Sequence, residues 1–367
     1  MNWMDLIREN ITTAEELRDV LSLSQQDYER IRDEIELFPM SVTRYYLSLI
    51  NQDDPNDPIR KMAIPSGNVD LTDGEMDTSG EHANSPIRGL QHKYEETALV
   101  LTTQDCAMFC RHCFRRRLVG KESDEIAVDV DRIVEYIQAH PRISNVLLSG
   151  GDSFMQPTER IRQWLDRLSS LETLDFIRFG TRTPVTFPQR ILSDPELIEV
   201  LQHYTKTKKI YVVSHFNHPG EITPQSVEAV KMLQNAGVTI KNQTVLMRGV
   251  NDSSPVLAQL LRKMTALGII QHYIFQCRPA LGVKSRFQVP LAEGSDIVQK
   301  ALATQNGLGK SADYTMSHVT GKIRILGKAD DGKMVFQYKQ AKDPAMIGRI
   351  FSVPVDDEQT WLPYNLF

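Results

Sequence analysis

A chain of 367 residues with 41% hydrophobic and 24% charged residues has the composition of a folded globular protein, neither disordered nor fibrous. A net charge of −5 argues against a protein that tracks nucleic-acid phosphates, and no apolar run reaches the roughly 18 to 20 residues that span a membrane. The amino end, MNWMDLIREN, has neither the basic start nor the apolar stretch of a secretory signal, so a cytoplasmic address and a small-molecule substrate are expected. Four cysteines, three of them within eight residues, are no disulfide framework and read as metal chemistry in a reducing compartment.

Residues 1–95 read as a helical amino-terminal segment with a connector. Thr12/Thr13 precede AEELRDVLSL, Ser24 precedes QQDYERIRDEIELF and Ser41 precedes VTRYYLSLI, each a helix-entry signal followed by a helical run. The stretch from Asn51 to Asn84, rich in Asp, Pro, Gly and Ser, is extended apart from a short helical turn in DPIRKMAIPS.

From about Tyr94 short β-branched runs alternate with amphipathic ones. Strands are expected at 97–103, 144–149, 175–181, 209–216, 239–246 and 271–276, with helices at 131–140, 158–170, 194–204, 223–237 and 254–268 and one more after Ser295. Parallel neighbours need long crossovers, so this alternation predicts an α/β fold over 96–307, a partial (β/α)6 barrel. After Gly307 the alternation stops. HVTGKIRIL and GKMVFQYK flank Asp330-Asp331-Gly332 and read as a β-hairpin in a carboxy-terminal extension, 308–367.

The chemistry concentrates in Cys106-Ala-Met-Phe-Cys110-Arg-His-Cys113, a C-x3-C-x2-C run at the end of the first barrel strand. Three thiolates can hold three irons of a [4Fe-4S] cubane and leave the fourth open to a ligand. The competing readings are a zinc site that recruits His112, which lacks finger-like spacing, and inert buried thiols. Further candidates follow the later strands: Ser149-Gly150-Gly151-Asp152 after the second, Arg182 in GTRTPV, His215 and His218 in SHFNHPG, and Gln243 on the fifth. A basic run, Arg115-Arg116-Arg117, follows the cysteines, and Arg278 follows Gln276-Cys277.

Taken together, DCAMFCRHCFRRRLVG, LLSGGD, GTRTPV with PQRI, HFNHPGEIT, NQTVLMRGVND and YIFQC resemble the lysine 2,3-aminomutase family of radical S-adenosylmethionine (SAM) enzymes over about residues 85 to 285. The resemblance implies a [4Fe-4S] cluster on Cys106, Cys110 and Cys113 and an electron donor such as flavodoxin or ferredoxin. It also implies SAM contacts by His112, Gly150, Gly151, Asp152, Arg182, His215 and Gln243, and a substrate carboxylate on Arg115. Whether copies of the chain assemble is left open.

Two departures bear on the reaction. Where the family has an aspartate for a substrate ammonium group this chain has Arg278, which favours an anionic substrate. The family's glycine-rich run before the pyridoxal phosphate (PLP) lysine is missing. Lys322 and Lys328 stand in the hairpin, where a surface position explains them, and Lys93 resembles a basic position near the PLP phosphate. The reading is therefore a radical SAM enzyme that abstracts hydrogen from a small anionic amino-acid-like substrate. The alternatives are a PLP-dependent amino-acid 2,3-aminomutase of the lysine or glutamate type, a non-enzymatic iron–sulfur redox protein, and a modifier of a protein lysine, which uses the same fold.

Overall fold

The computed structural model describes residues 2–366. In the amino-terminal segment the caps act as expected. The Thr13 hydroxyl accepts from the Glu16 amide while the Glu16 carboxylate accepts from the Thr13 amide, opening the helix Ala14–Leu21. At Gln25–Leu37 the cap is one-sided, the Ser24 hydroxyl accepting from the Asp27 amide. The third expected helix is a single turn, Arg44–Leu47, and Asp57 caps another at Pro58–Ala63. A first turn, Trp3–Ile7, was not anticipated; its Trp3 packs with Ala107, Met155 and Phe187 and so brings the amino end onto the cysteine loop.

The described strands form one sheet in chain order. They are β1 (Leu90–Tyr94), β2 (Thr97–Thr103), β3 (Asn145–Gly150), β4 (Phe176–Gly180), β5 (Lys209–Ser214), β6 (Thr239–Leu246), β7 (Ile270–Gln276), β8 (Asp313–His318), β9 (Gly321–Lys328), β10 (Met334–Ala341) and β11 (Ile350–Val353). Strands β2 to β8 run parallel, β1 is antiparallel to β2, and β8 to β11 are antiparallel. The parallel run therefore has seven strands rather than six. β8 escaped the sequence reading because its sequence, DYTMSH, is not an apolar β-branched run, and because Val319-Thr320 is a turn rather than part of a hairpin arm. Strands pair across residues 95/96 and 307/308, since β1 joins β2 and β7 joins β8.

Alternation along each strand separates an outer face from an inner one. On β6, Ile240, Asn242, Thr244 and Leu246 are buried, whereas Lys241, Gln243 and Val245 lie on the half-exposed inner face. Helices such as Thr158–Ser169 cover the outside, sinking Ile161, Trp164, Leu165 and Leu168 into one core. Each such side chain contributes about 1.5–3 kcal/mol by leaving water. Among the described residues the sheet is not closed by backbone pairing, and side chains bridge the gap: Lys93 Nζ on β1 donates to the His318 carbonyl at 2.7 Å, and Lys322 Nζ on β9 lies 5.9 Å from the Tyr94 ring. The carboxy-terminal residues return over the mouth of the barrel, where the Thr360 carbonyl accepts from Gln276 at 2.9 Å and the rings of Trp361 and Tyr364 stand against His318.

Candidate active site

The cysteine loop leaves β2 at the carboxy end of the parallel strands, the face on which barrel enzymes build their sites. Two glycines seat it. Gly150 has φ +111°, and a Cβ there would lie 2.3 Å from the Thr103 carbonyl oxygen; one on Gly151 would lie 2.3 Å from that of Asp105. The Gly151 amide donates to Thr103 at 2.6 Å and the Asp152 amide to Asp105 at 2.8 Å. The close approach these glycines allow is thus to the backbone of the cysteine loop, where the sequence reading placed a ligand. From the other side the amino-terminal segment clamps the loop: Asn10 donates to Ala107 at 2.8 Å, Phe109 to Ser41 at 2.9 Å and the Arg111 amide to Met62 at 2.8 Å. The Arg111 guanidinium forms a buried ion pair with Glu34 at 2.9 Å.

Burial holds the Cys106 thiol well above the usual range, with Asp152 adding to the effect, and pushes Cys113 up to about 11. A bound metal ion overrides such shifts, because a coordinating thiol loses its proton outright. Cys110 has a cation already in place: Arg182 Nη1 donates to its Sγ at 2.7 Å. Burial alone would weaken the charge of Arg182, but Cys110 and Glu221 outweigh it and hold the guanidinium above its ordinary range. Among the described residues no three His, Cys, Asp or Glu side chains form a group arranged to hold a single metal ion. A cubane asks for something different, each thiolate on its own iron, and three clamped thiols beside a guanidinium suit that anionic centre. Cys277 is buried with its Sγ near the Arg278 carbonyl.

The residues expected around SAM converge here. Arg182 Nε donates to the His215 carbonyl at 3.1 Å. Burial, then Arg182 and Arg115, lower His215 to about 4, and its ring bonds the Gln243 backbone. His112 is held neutral by burial, with Arg182 and His215 nearby, and its Nδ1 is buried without a hydrogen-bond partner. Asp152 is already engaged inside the protein: its carboxylate accepts from the Arg182 amide at 2.7 Å and the Phe154 amide at 3.0 Å, capping the turn Ser153–Met155. Burial raises this carboxyl above its ordinary range despite those bonds. His218 turns aside to accept from the Gly220 amide.

The arginines after the cysteines sort themselves. Glu81, from the connector, is buried between two of them, 2.8 Å from Arg115 and 2.7 Å from Arg117. Arg115 also donates to Ser149 Oγ at 3.0 Å, so the guanidinium expected to grip a substrate has protein partners. Arg116 stacks on Phe38, 3.5 Å from the ring centroid, and donates to the Leu281 carbonyl. Arg278 differs. Its guanidinium lies 4.0 Å from the centre of the ring of Phe114, which directly follows Cys113, and its buried Nη1 has no hydrogen-bond partner among the described residues. Burial lowers it to about 10, Glu81 acting against that shift and Arg115 with it.

Below Arg278 the inner face of the sheet is strongly cationic. Lys322 reaches inward, 4.7 Å from the Tyr273 ring, and its surface placement is corrected; Lys328 is exposed as expected. A strand alternates faces, and in the antiparallel register Lys322 stands opposite Ser317 of β8, on the inner side, which hairpin membership alone does not reveal. Burial, then Arg178, Arg278, Lys339 and Lys93, lower Lys322 to about 7, and burial with Arg278 does the same to Lys93. Arg178 has a buried Nε without a partner, while Asp313 is shared between Arg324 and Lys339. Sequence reasoning did not single out Glu81 in the connector or Tyr46 in a short helical turn, nor Phe114 and Glu221, which lie inside the runs DCAMFCRHCFRRRLVG and HFNHPGEIT but whose partners are distant in sequence.

Residues 100–261 match the Radical SAM superfamily. The chain is 38% identical to a protein of Aquifex aeolicus, covering 94% of this chain and 92% of that one. It is likewise 38% identical to the L-lysine 2,3-aminomutase of Clostridium subterminale, covering 81% and 71%. It is 32% identical to the glutamate 2,3-aminomutase of Clostridioides difficile, covering 84% and 72%. With its cysteine loop at the mouth of a parallel sheet and relatives of this closeness over most of its length, the chain belongs to the lysine 2,3-aminomutase family of radical SAM enzymes, which are isomerases.

Proposed function

We propose that this enzyme isomerises a small amino-acid-like substrate whose distal group is anionic, with a [4Fe-4S] cluster on Cys106, Cys110 and Cys113, SAM beside it and PLP on Lys322. The observation that carries the reading is Arg278, a buried guanidinium whose Nη1 has no hydrogen-bond partner among the described residues, within electrostatic reach of an inward lysine lowered to about 7. When bound, the cluster and SAM supply a carbon radical for hydrogen abstraction, and PLP supplies the electron sink for migration of an amino group.

The chain's own residues do the rest. Arg278 donates to the distal carboxylate, and its stacking on Phe114 fixes that anchor next to the cysteine loop. Glu81, shared by Arg115 and Arg117, and Glu125 on Arg117 together offset those two guanidinium charges, and Arg278 remains the selective charge. A lysine substrate would turn its ammonium group toward Arg278, a like-charge contact that costs several kcal/mol, on the order of a mispaired charge in a desolvated site. Lys322, lowered to about 7, is about half unprotonated at pH 7 and in that form available to a carbonyl group, and Tyr94 and Tyr273 flank it. Electrons reach the cluster from a reduced carrier such as flavodoxin or ferredoxin, which places the reaction in a reducing cytoplasm.

The test is the yield of 5′-deoxyadenosine from anaerobically reconstituted enzyme with SAM and dithionite across a panel of charged amino acids. Acidic compounds should stimulate the parent most, and Arg278→Asp should move the preference toward basic ones. If lysine is the best stimulant of the parent, or the ranking survives in Arg278→Asp, the substrate assignment is wrong. No 5′-deoxyadenosine with any compound would return the protein to the redox alternative.

A further inference from the structure

We propose that Arg182 raises the reduction potential of the cluster by donating a hydrogen bond to the Cys110 sulfur, and that Glu221 moderates that effect from behind. The proposal rests on the cluster assignment above and goes beyond it, since the cysteine spacing says nothing about potential.

Arg182 is fixed on every side. Its Nη1 reaches Cys110 Sγ at 2.7 Å, its Nη2 reaches Glu221 at 2.5 Å, its Nε donates to the His215 carbonyl at 3.1 Å and its amide to Asp152 at 2.7 Å. Glu221 is fully buried and equally fixed: Tyr46 Oη donates to it at 2.6 Å, the Asn217 amide at 2.6 Å and the His218 amide at 3.0 Å. A continuous chain, Tyr46 to Glu221 to Arg182 to Cys110, thus links the amino-terminal helical segment to one cluster sulfur.

The sign follows from charge. Reduction adds an electron to a centre that already carries three thiolates, so a donor on one sulfur stabilises the reduced form more than the oxidised one. A guanidinium stays charged at every accessible pH, which makes it a constant donor. The Glu221 carboxylate compensates part of that positive charge. Removing either partner should therefore shift the potential in opposite directions, an outcome that a purely structural role would not produce.

Reconstituted parent, Arg182→Gln, Arg182→Lys and Glu221→Gln proteins are titrated with dithionite while the EPR signal of the reduced cluster is followed against potential, and iron is counted in each. The midpoint should move negative in Arg182→Gln, return part of the way in Arg182→Lys and move positive in Glu221→Gln, at about four irons per chain throughout. An unchanged midpoint in Arg182→Gln at full iron content overturns the proposal, and so does a shift of the same sign in Arg182→Gln and Glu221→Gln. If Arg182→Gln fails to hold iron, Glu221→Gln decides alone: a positive shift supports the assignment, and no shift or a negative one ends it. Failure of the parent to take up a four-iron cluster refutes the cluster assignment itself, is seen before any variant is compared, and takes this proposal with it.

Discussion

Lys322 offers the sharpest quantitative test of how the inner face of the sheet works. Its lowering to about 7 is caused first by burial and then by Arg178, Arg278, Lys339 and Lys93. At pH 7.5 a lysine of that kind is roughly three-quarters neutral, whereas an ordinary lysine near 10.5 is about one-thousandth neutral. The share of neutral, reactive amine is therefore larger by about 10³-fold. The assay is reaction of cluster-free protein with limiting PLP at pH 7.5, borohydride reduction and peptide mapping, with the absorbance band near roughly 410–430 nm, the range of a PLP Schiff base, recorded before reduction. The label should fall on Lys322, with Lys93 the second site because it shares the same lowering. Arg178→Met should slow labelling at pH 7.5 by returning part of the proton affinity. Label spread evenly over exposed lysines such as Lys328, or a rate indifferent to Arg178, would refute the reasoning.

Further outcomes follow from the same structure. A lysine whose folded value lies below its unfolded value of 10.5 binds fewer protons when folded, so it costs stability in full below about pH 7 and the cost fades toward pH 10.5. Lys322→Met should accordingly be more stable than the parent at pH 7, with an advantage in urea titrations that shrinks by pH 10; a constant difference across that range contradicts the assignment. Gly151→Ala places a Cβ 2.3 Å from the Asp105 carbonyl oxygen and should lower iron uptake with little change in circular dichroism, since the displaced element is the cysteine loop. Asp152→Ala leaves the Arg182 and Phe154 amides without their acceptor and should cost about 1–3 kcal/mol for each amide left buried and unpaired. Full parental stability in urea would show that both amides find other partners.

What the sequence determined by itself was whatever local chemistry encodes. Alternating β-branched and amphipathic runs marked six of the parallel strands and their helices because short β-branched runs and helices with one apolar stripe are distinguishable along a chain. Three cysteines in eight residues marked the loop because few other uses fit that spacing, and Arg278 stood out because it inverts the charge a relative would place there. The strand β8 stayed hidden because Asp313, Thr315 and Ser317 look polar until a cationic inner face gives them somewhere to point. Only the tertiary structure decided which charges are spent. Glu81, 34 residues before Arg115 in sequence, neutralises it, and Glu221 and Tyr46 reach Arg182 across 39 and 136 residues. It likewise turned Lys322 from a hairpin surface residue into an inward one, because whether a strand residue faces water or an enclosed inner face depends on which strands stand opposite, and that is a property of the whole sheet.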